Sequence, residues 1–211
     1  MNTIQEEQQA REELVKLAKS LFDRGYTYGS SGNISVKLPN QTIILSPTNS
    51  CLGELDPQAL SKIDLNGQLL SGEKPTKEVP MHLAFYAANP NHHAVVHLHS
   101  TYLTALSSLT GLDCDNCVPA ISPYFFMKVG KLPLLPYFKP GSEAIATTVL
   151  QYAKTHNAVL LANHGPVMAG KTLREAVFNI EELENTAKLY FLLKPYSFNT
   201  LSQSEINELI Q

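Results

Sequence analysis

The segment Ala94-Val95-Val96-His97-Leu98-His99 is an apolar run that ends in two histidines, and it predicts a buried strand that carries polar groups at one end. Successive side chains of a strand point to opposite faces, so His97 and His99 share one face at a spacing of about 7 Å. A second apolar run, residues 158–162, ends in Asn163-His164-Gly165. If these two strands are neighbours, their ends bring three imidazoles together.

Three neutral imidazoles with an open fourth position are typical of a catalytic zinc site, whereas structural zinc sites use four protein ligands, mostly thiolates. The pattern therefore predicts a catalytic metal centre on His97, His99 and His164. The alternative is that His-x-His on a strand is a pair of ordinary core or surface histidines. Other histidines lie in predicted loops and are expected to be solvated: His92, His93 and His156.

Outward from this strand, helix and strand patterns alternate along the chain. Apolar residues at helical spacing predict a helix over 6–24, and alternating polar and apolar residues predict a hairpin from 33–38 and 42–45. Thr172-x-x-Glu175 is a capping box that predicts the start of a long helix over 172–193. Further helices are predicted at 78–88, 101–109 and 142–155, and further strands at 93–99, 118–121, 132–137 and 158–162.

This alternation, with a hairpin included, indicates a layered α/β fold with a mixed sheet. No repeat or linker divides the chain, so residues 1–211 are expected to form one domain. Its core is predicted to span about 8–194, with 195–211 as a C-terminal tail. Within that tail, Ser202-x-x-Glu205 is predicted to cap a short helix that docks on a neighbouring surface.

Composition narrows the possible functions. The chain has 211 residues, 44% of them hydrophobic, and a formal net charge of −3, so no nucleic-acid partner is expected. No apolar stretch reaches the ~20 residues that span a bilayer, and the polar N-terminus lacks a signal pattern, so a cytoplasmic protein without a membrane partner is expected. Cys114-x-x-Cys117 is interpreted as reduced thiols in a loop rather than half a zinc knuckle or a redox pair, because no second ligand pair has matching spacing.

Residues suited to acid–base chemistry and anion binding precede the histidine strand. Glu78 begins a predicted helix, where it is expected to be a fourth metal ligand, a general base or both; the alternative is a solvated first-turn charge. Segments 29–33 and 46–50 are rich in small residues whose amides and hydroxyls suit a phosphate, although each also fits an ordinary turn. The pair Thr76-Lys77 adds a hydroxyl and a cation.

Five motifs, in this order and spacing, resemble those of the class II aldolase/adducin family. They are Ser31-Gly32-Asn33-Ile34-Ser35, Ser46-Pro47-Thr48, Pro75-Thr76-Lys77-Glu78, His97-Leu98-His99 and Asn163-His164-Gly165. The resemblance covers roughly residues 8–194. Within the family, segments 25–36, 48–53, 74–78 and 137–141 are most similar to the 3-oxo-tetronate 4-phosphate decarboxylases. The resemblance implies α/β/α layers around a mixed, largely antiparallel sheet, and a homotetramer.

The resemblance also implies a role for each matching residue. One Zn2+ per subunit, or another divalent metal, is held by His97, His99 and His164, and Glu78 is an acid/base that also ligates the metal when substrate is absent. Tyr124 lies near a tyrosine that the aldolases use as a proton donor from a neighbouring subunit. The family's phosphate-binding positions fall on Gly32, Asn33, Thr48, Asn49, Thr76 and Lys77. Two of these depart from the aldolases, which commonly have glycine in place of Asn49 and have serine in place of Lys77.

The implied activity is zinc-dependent decarboxylation of a phosphorylated sugar acid, 3-oxo-tetronate 4-phosphate, to dihydroxyacetone phosphate and CO2 through a metal-stabilised enediolate. Glu78 or Tyr124 would protonate the enediolate, and Lys77 or Lys128 would hold the substrate carboxylate. An aldolase or 4-epimerase of a sugar phosphate, such as fuculose 1-phosphate or ribulose 5-phosphate, is the first alternative, because aldol cleavage leaves the same kind of enediolate. A non-enzymatic binding module is the second. Substrate stereochemistry, erythronate or threonate, and the identity of the metal stay open.

Overall fold

An eight-stranded sheet organises residues 3–209, the part of the chain that the computed structural model describes. In chain order its strands are β1 (Asn33–Lys37), β2 (Ile43–Leu45), β3 (Ser61–Ile63), β4 (Leu69–Ser71), β5 (Ala94–His97), β6 (Leu134–Leu135), β7 (Ala158–Leu161) and β8 (Gly165–Gly170). Across the sheet their order is β4-β3-β2-β1-β5-β8-β7-β6. All neighbours are antiparallel except β6 and β7, so the predicted mixed and largely antiparallel sheet is confirmed.

Helices cover both faces of this sheet. They are α1 (Thr3–Asp23), α2 (Val79–Ala88), α3 (Thr101–Ser107), α4 (Pro123–Lys128), α5 (Glu143–Tyr152), α6 (Leu173–Leu193) and α7 (Gln203–Leu209). Buried side chains of α1, α3, α4 and α6 share one hydrophobic core, and those of α2 and α5 share a second. The two cores on opposite faces confirm the layered α/β/α architecture. In the described range, no helix combines the length and the apolar character that crossing a bilayer requires.

The strand β5 is buried on both faces at the middle of the sheet. Ala94 and Val96 belong to the core beneath α1 and α6, whereas Val95 belongs to the core beneath α2 and α5. The run is apolar throughout because each face of the strand is covered by helices. Hydrogen bonding to β1 on one side and β8 on the other fixes the backbone of His97, which is opposite Asn33 and Val167.

The position of β8 corrects the predicted arrangement of the histidine strands. The sequence pattern does not predict β8, because Gly165-Pro166 is typical of a turn and proline cannot donate to a sheet ladder. The expectation that β5 and β7 are neighbours is wrong, because β8 lies between them. A tight turn joins β7 to β8, so His164 stands at the start of β8, beside the end of β5.

Other predicted elements differ in extent. The expected strand at 118–121 is wrong: this segment is a loop, and Pro119 has no N–H to give to a ladder. The expected strand at 132–137 shortens to Leu134–Leu135, and the patterns do not predict β3, β4 or α4. The tail helix is confirmed, since Ser202 Oγ accepts a hydrogen bond from the Glu205 amide and α7 packs against α4.

The cysteines behave as the sequence interpretation expects. Cys51, Cys114 and Cys117 are free thiols. Cys117 is buried, its Sγ donates to Leu132 O at 3.2 Å, and burial raises its pKa to about 12. A thiol with so high a pKa is protonated at neutral pH, which makes it a poor metal ligand and a poor nucleophile.

Candidate metal centre and anion cradle

The three histidines of the predicted triad converge where β5 ends and β8 begins, at one end of the central strands. Nε2 of His97 lies 3.1 Å from Nε2 of His99 and 3.3 Å from Nε2 of His164. One ligand atom from each ring lies within 4.8 Å of the others. His164 reaches this point because Asn163, with a φ of 54°, and Gly165, with a φ of 151°, turn the chain sharply between β7 and β8.

The chemistry of these rings fits a divalent cation. His97 Nδ1 lies 2.9 Å from Pro166 O, an acceptor, so Nδ1 carries the proton and Nε2 presents a lone pair toward the other two rings. If the other two rings turned N–H groups toward Nε2 of His97, its single lone pair could not accept both hydrogen bonds. Three Nε2 lone pairs directed at one point instead suit a metal ion. Burial lowers the pKa of all three rings, that of His164 to about 4, so they are neutral at pH 7. Neutral imidazole is the form that binds metals.

Glu78 is a buried carboxylate beside this triad, not a solvated helix-end charge. It precedes α2 and is 6% exposed, with Oε2 3.5 Å from His97 Nε2 and Oε1 3.6 Å from His164 Nε2. Oε2 accepts a 2.8 Å hydrogen bond from Asn33 Nδ2, while Oε1 has no hydrogen-bond partner among the described residues. Burial alone would raise the pKa of Glu78, but the neighbouring His97 and the Asn33 hydrogen bond outweigh it and lower that pKa to about 2.

The metal-binding groups form one wall of an open cavity of about 540 Å3. All six predicted phosphate-binding residues line it, together with Glu78, His99 and His164. Six further lining residues carry no individual predicted role: Ser30, Ser31, Pro47, Thr104, Pro140 and Asn163. Asn163 and Pro140 lie in motifs that the resemblance already includes. Thr104 is on the second turn of α3, and no local pattern distinguishes it from other helix residues.

Backbone conformation explains two residues of the anion cradle. Gly32 has a φ of 81°, and a Cβ there would lie 2.8 Å from His97 O, so this loop meets the histidine strand too closely for any side chain. Asn49 has a φ of 58°, in the left-handed region that glycine and asparagine tolerate best. Asparagine therefore preserves the backbone where the aldolases commonly have glycine.

Lys77 is the cation of the cavity. It lines the same cavity as His99 and His164, and its charge lowers the pKa of both rings, after burial and a neighbouring histidine. The ion pairs found among residues 3–209 do not include Lys77. Thr76, next to it, is buried, and its Oγ1 accepts a hydrogen bond from the Glu78 amide at 3.3 Å. An unpaired ammonium group at this wall is available to a substrate anion.

Two residues with predicted roles lie elsewhere in the single chain. Tyr124 is on the exposed surface of α4, 58% exposed, and neither Tyr124 nor Lys128 lines the cavity. One expectation about the other histidines is wrong: His92 is 2% exposed, with Nδ1 3.0 Å from Phe85 O and Nε2 3.0 Å from Asn157 Oδ1. Its two partners allow it to be buried, and no local pattern reveals them.

Comparison with known proteins places this geometry among related enzymes. Residues 12–191 match the model of the class II aldolase and adducin N-terminal domain. A 3-oxo-tetronate 4-phosphate decarboxylase of Escherichia coli is 52% identical over 96% of each chain. An L-fuculose phosphate aldolase of Methanococcus maripaludis is 37% identical over 86% of this chain and 96% of its own. The crystal structure of YgbL from Escherichia coli, described as an aldolase/epimerase/decarboxylase, superposes with a TM-score of 0.96 at 50% identity and covers 97% of this chain and 99% of its own.

Proposed function

This chain belongs to the class II aldolase and adducin family, and from that premise we propose that it is a Zn2+-dependent decarboxylase of 3-oxo-tetronate 4-phosphate. Its decarboxylase and aldolase relatives make it a carbon–carbon lyase. The observation that carries the proposal is the juxtaposition, around one polar cavity, of three neutral imidazoles, a buried carboxylate with a free oxygen, and an ammonium group without an ion pair among the described residues. The products would be dihydroxyacetone phosphate and CO2.

The reaction needs a group that stabilises the electron pair left by the broken bond and a group that donates a proton. The substrate is a β-keto acid, and cleavage of its C1–C2 bond leaves the electron pair in an enediolate that must be protonated at C2. When bound to His97, His99 and His164, a divalent ion supplies a Lewis acid that stabilises charge developing on the substrate oxygens. Glu78 lines the cavity and its Oε1 has no hydrogen-bond partner among the described residues, which suits it to hold a proton and return it to C2. The proton consumed overall comes from solvent.

The cavity also offers groups for both ends of the substrate. Backbone amides and hydroxyls of the cradle suit the phosphate, with Gly32, Thr48, Asn49 and Thr76 at the cavity wall. We assign the substrate carboxylate to Lys77, because Lys77 lines the same cavity as His99 and His164. Lys128 does not line the cavity of the single chain, which favours Lys77 for this role.

We further propose a homotetramer in which α4 of one subunit presents Tyr124 to the cavity of its neighbour as a second proton donor. Two observations support this arrangement: Tyr124 and Met127 of α4 are both 58% exposed despite their size, and the cavity of one chain is open to solvent. A cytoplasmic location fits the free thiols and the phosphorylated substrate.

An aldolase is the competing function, favoured by the 37% identity to an L-fuculose phosphate aldolase. Its chemistry uses the same triad and carboxylate, since aldol cleavage of a ketose phosphate also leaves an enediolate. Lys77 favours decarboxylation, because the aldolases have serine at this position and their substrates carry no carboxylate.

Incubation of the protein with erythro and threo 3-oxo-tetronate 4-phosphate, with assay of CO2 and dihydroxyacetone phosphate, tests the proposal. We expect both products in equal amounts from one or both isomers, loss of turnover on chelation, and recovery with Zn2+. Parallel reactions contain fuculose 1-phosphate and ribulose 5-phosphate. Turnover of either sugar without CO2 release from the acids would establish the alternative, and full activity of metal-free protein would overturn the metal-dependent mechanism.

A further inference from the structure

A chain of buried hydrogen bonds runs from Glu78 into the core, away from the cavity. Asn33 Nδ2 donates to Glu78 Oε2 at 2.8 Å, and Asn33 Oδ1 is hydrogen bonded to His82 Nε2. On the other side of its ring, His82 Nδ1 lies 2.7 Å from Ser35 Oγ, which lies 2.6 Å from Tyr86 Oη. All five residues are buried. His82, Ser35 and Tyr86 do not line the cavity, so they cannot touch a substrate there.

Chemistry allows only one direction for these hydrogen bonds when the His82 ring is neutral. The Glu78 carboxylate only accepts, so Asn33 must turn its amide nitrogen toward it and its carbonyl oxygen toward His82. His82 Nε2 must then carry the ring proton, which leaves Nδ1 to accept from the Ser35 hydroxyl. Ser35 Oγ in turn accepts from the Tyr86 hydroxyl. Burial raises the pKa of Tyr86, which keeps that hydroxyl protonated.

The direction of these hydrogen bonds determines which oxygen of Glu78 accepts one. An asparagine amide can flip its oxygen and nitrogen at little cost in shape, and a flipped Asn33 would set its oxygen against a carboxylate oxygen. The rest of the chain opposes that flip, because His82 would have to move its proton to Nδ1, and Ser35 would have to accept from His82 and donate to Tyr86. The Tyr86 hydroxyl proton would then lose its acceptor. Glu78 Oε2 is thereby held by a donor, while Oε1 keeps its lone pairs free beside His164.

We propose that the chain Tyr86–Ser35–His82–Asn33 selects Oε1 of Glu78 as the oxygen that exchanges a proton with substrate, with His82 as its central positioning residue. The inference rests on the proposed function in one respect, that Glu78 is the acid/base. Buried polar groups cost stability unless every one is satisfied, and this chain satisfies each member across two separate elements, β1 and α2. Asn33 has its side chain committed to Glu78 and its backbone opposite His97 in the sheet.

Steady-state kinetics of His82→Phe, with His92→Phe as the matched control, tests the proposal. Both residues are buried histidines with a polar partner on each ring nitrogen, but only His82 connects to Glu78. We expect His82→Phe to lower kcat by about 10- to 100-fold with KM and bound metal near their normal values, the range usual for residues that orient a metal-site group. His92→Phe should lose comparable stability and keep its kcat.

The conservative variant His82→Gln separates positioning from structure. Its amide can donate to Asn33 and accept from Ser35, so it should recover most of the kcat that His82→Phe loses. Tyr86→Phe removes only the far end of the chain and should have a smaller effect than His82→Phe. Equal kcat losses in His82→Phe and His92→Phe, or no recovery in His82→Gln when that variant is folded, would overturn the proposal.

Nitrogen-15 NMR of the histidine rings provides a readout that does not depend on activity. In metal-free protein at pH 7 we expect His82 to be the neutral Nε2–H tautomer, and Ser35→Ala to retain that tautomer, because the Asn33 oxygen still requires a proton on Nε2. A neutral Nδ1–H or a doubly protonated His82 in the unmodified protein would contradict the derived direction. If the protein fails to decarboxylate the tetronates while the tautomer is as expected, the proposed function fails and the hydrogen-bond chain stands.

Discussion

The two walls of the cavity are built in different ways. The metal wall consists of His97, His99, His164 and Glu78, whose positions depend on paired strands, burial and lowered pKa values. The cradle wall consists of loops that contain left-handed residues such as Gly32 and Asn49, with Lys77 as its free cation. Charge that develops during a reaction needs groups fixed in advance in a site with little water, whereas a permanent phosphate needs only donors within reach. Substitutions in the metal wall should therefore affect kcat, and those in the cradle wall should affect KM.

The largest effect is expected for His99→Ala in the metal wall. His99 is the least buried ring of the triad, so its removal should perturb the fold least. Loss of a ligand removes Lewis-acid stabilisation of several kcal/mol, which corresponds to about a 10³-fold or greater fall in kcat/KM. Turnover and metal content measured on the same sample test this. Near-normal turnover and near-normal metal content in His99→Ala would show that the metal wall is not more important for kcat than the cradle wall.

A smaller effect, and one on KM, is expected for Lys77→Ala. Loss of a charged hydrogen bond should raise KM by about 10- to 100-fold with little change in kcat. Lys128→Ala is the matched control and should leave kcat/KM unchanged. Dihydroxyacetone phosphate has the phosphate but no carboxylate. If Lys77 holds the carboxylate, this compound should inhibit Lys77→Ala and the unmodified protein equally well. An unchanged kcat/KM in Lys77→Ala would remove this residue from substrate binding.

The buried histidines of the metal wall, together with His82 next to it, should also make the unfolding free energy depend on pH. Burial lowers the pKa of His82 to about 3 and that of His164 to about 4 in the folded protein, while the unfolded chain keeps a histidine pKa near 6.5. The unfolded state therefore binds more protons below pH 6.5. As the pH is lowered, the unfolding free energy decreases by about 1.4 kcal/mol per pH unit for each such histidine. Urea unfolding of metal-free protein between pH 7.5 and 5 measures this slope.

The same titration compares the walls directly. His82→Phe should reduce the slope, and Lys77→Ala should change it less, because no histidine is lost and Lys77 contributes least among the neighbouring charges to the lowered pKa of His99 and of His164. The pKa of Glu78, lowered to about 2, adds a further loss only below about pH 4.5, the ordinary value of that carboxyl. A free energy that stays constant from pH 6.5 to 5 would show that these histidines do not resist protonation.

The smallest effect is expected in the cradle at Asn49. Asn49→Gly retains the left-handed backbone and should change the unfolding free energy by less than about 0.5 kcal/mol. Asn49→Val should cost about 1–2 kcal/mol, because a branched Cβ is strained at this φ. Thermal unfolding of the two variants provides the measurement. Equal stabilities would mean that the loop changes conformation rather than accepting strain.

Local patterns in the sequence account for much of the fold and for part of the site. The apolar run 94–96, the capping box at Thr172 and the motifs of the cradle each depend on neighbouring residues, so a linear sequence reveals them. Pro166 shows the limit: it lies near the start of a central strand, against its usual preference, and its carbonyl accepts from the Leu98 amide and from His97 Nδ1, contacts that no local pattern reveals.

The site itself depends on contacts between distant residues. A glutamate at the start of a helix is usually solvated, and nothing near Glu78 in sequence indicates that Asn33, 45 positions away, donates to it. The partners of His82 and His92 are equally distant or lie on other elements. A role for Tyr124 requires a second subunit, which no pattern within one chain can describe.

The place of β8 between β5 and β7 also determines when during folding the triad can form. His97 and His164 are 67 residues apart in sequence, and they meet only after β8 has inserted beside β5. Closing so long a loop is slow compared with forming a helix or a hairpin, so metal affinity should develop at the end of folding. A partly folded chain would then compete poorly for metal in the cell, and bound metal would mark a chain whose central strands have been assembled.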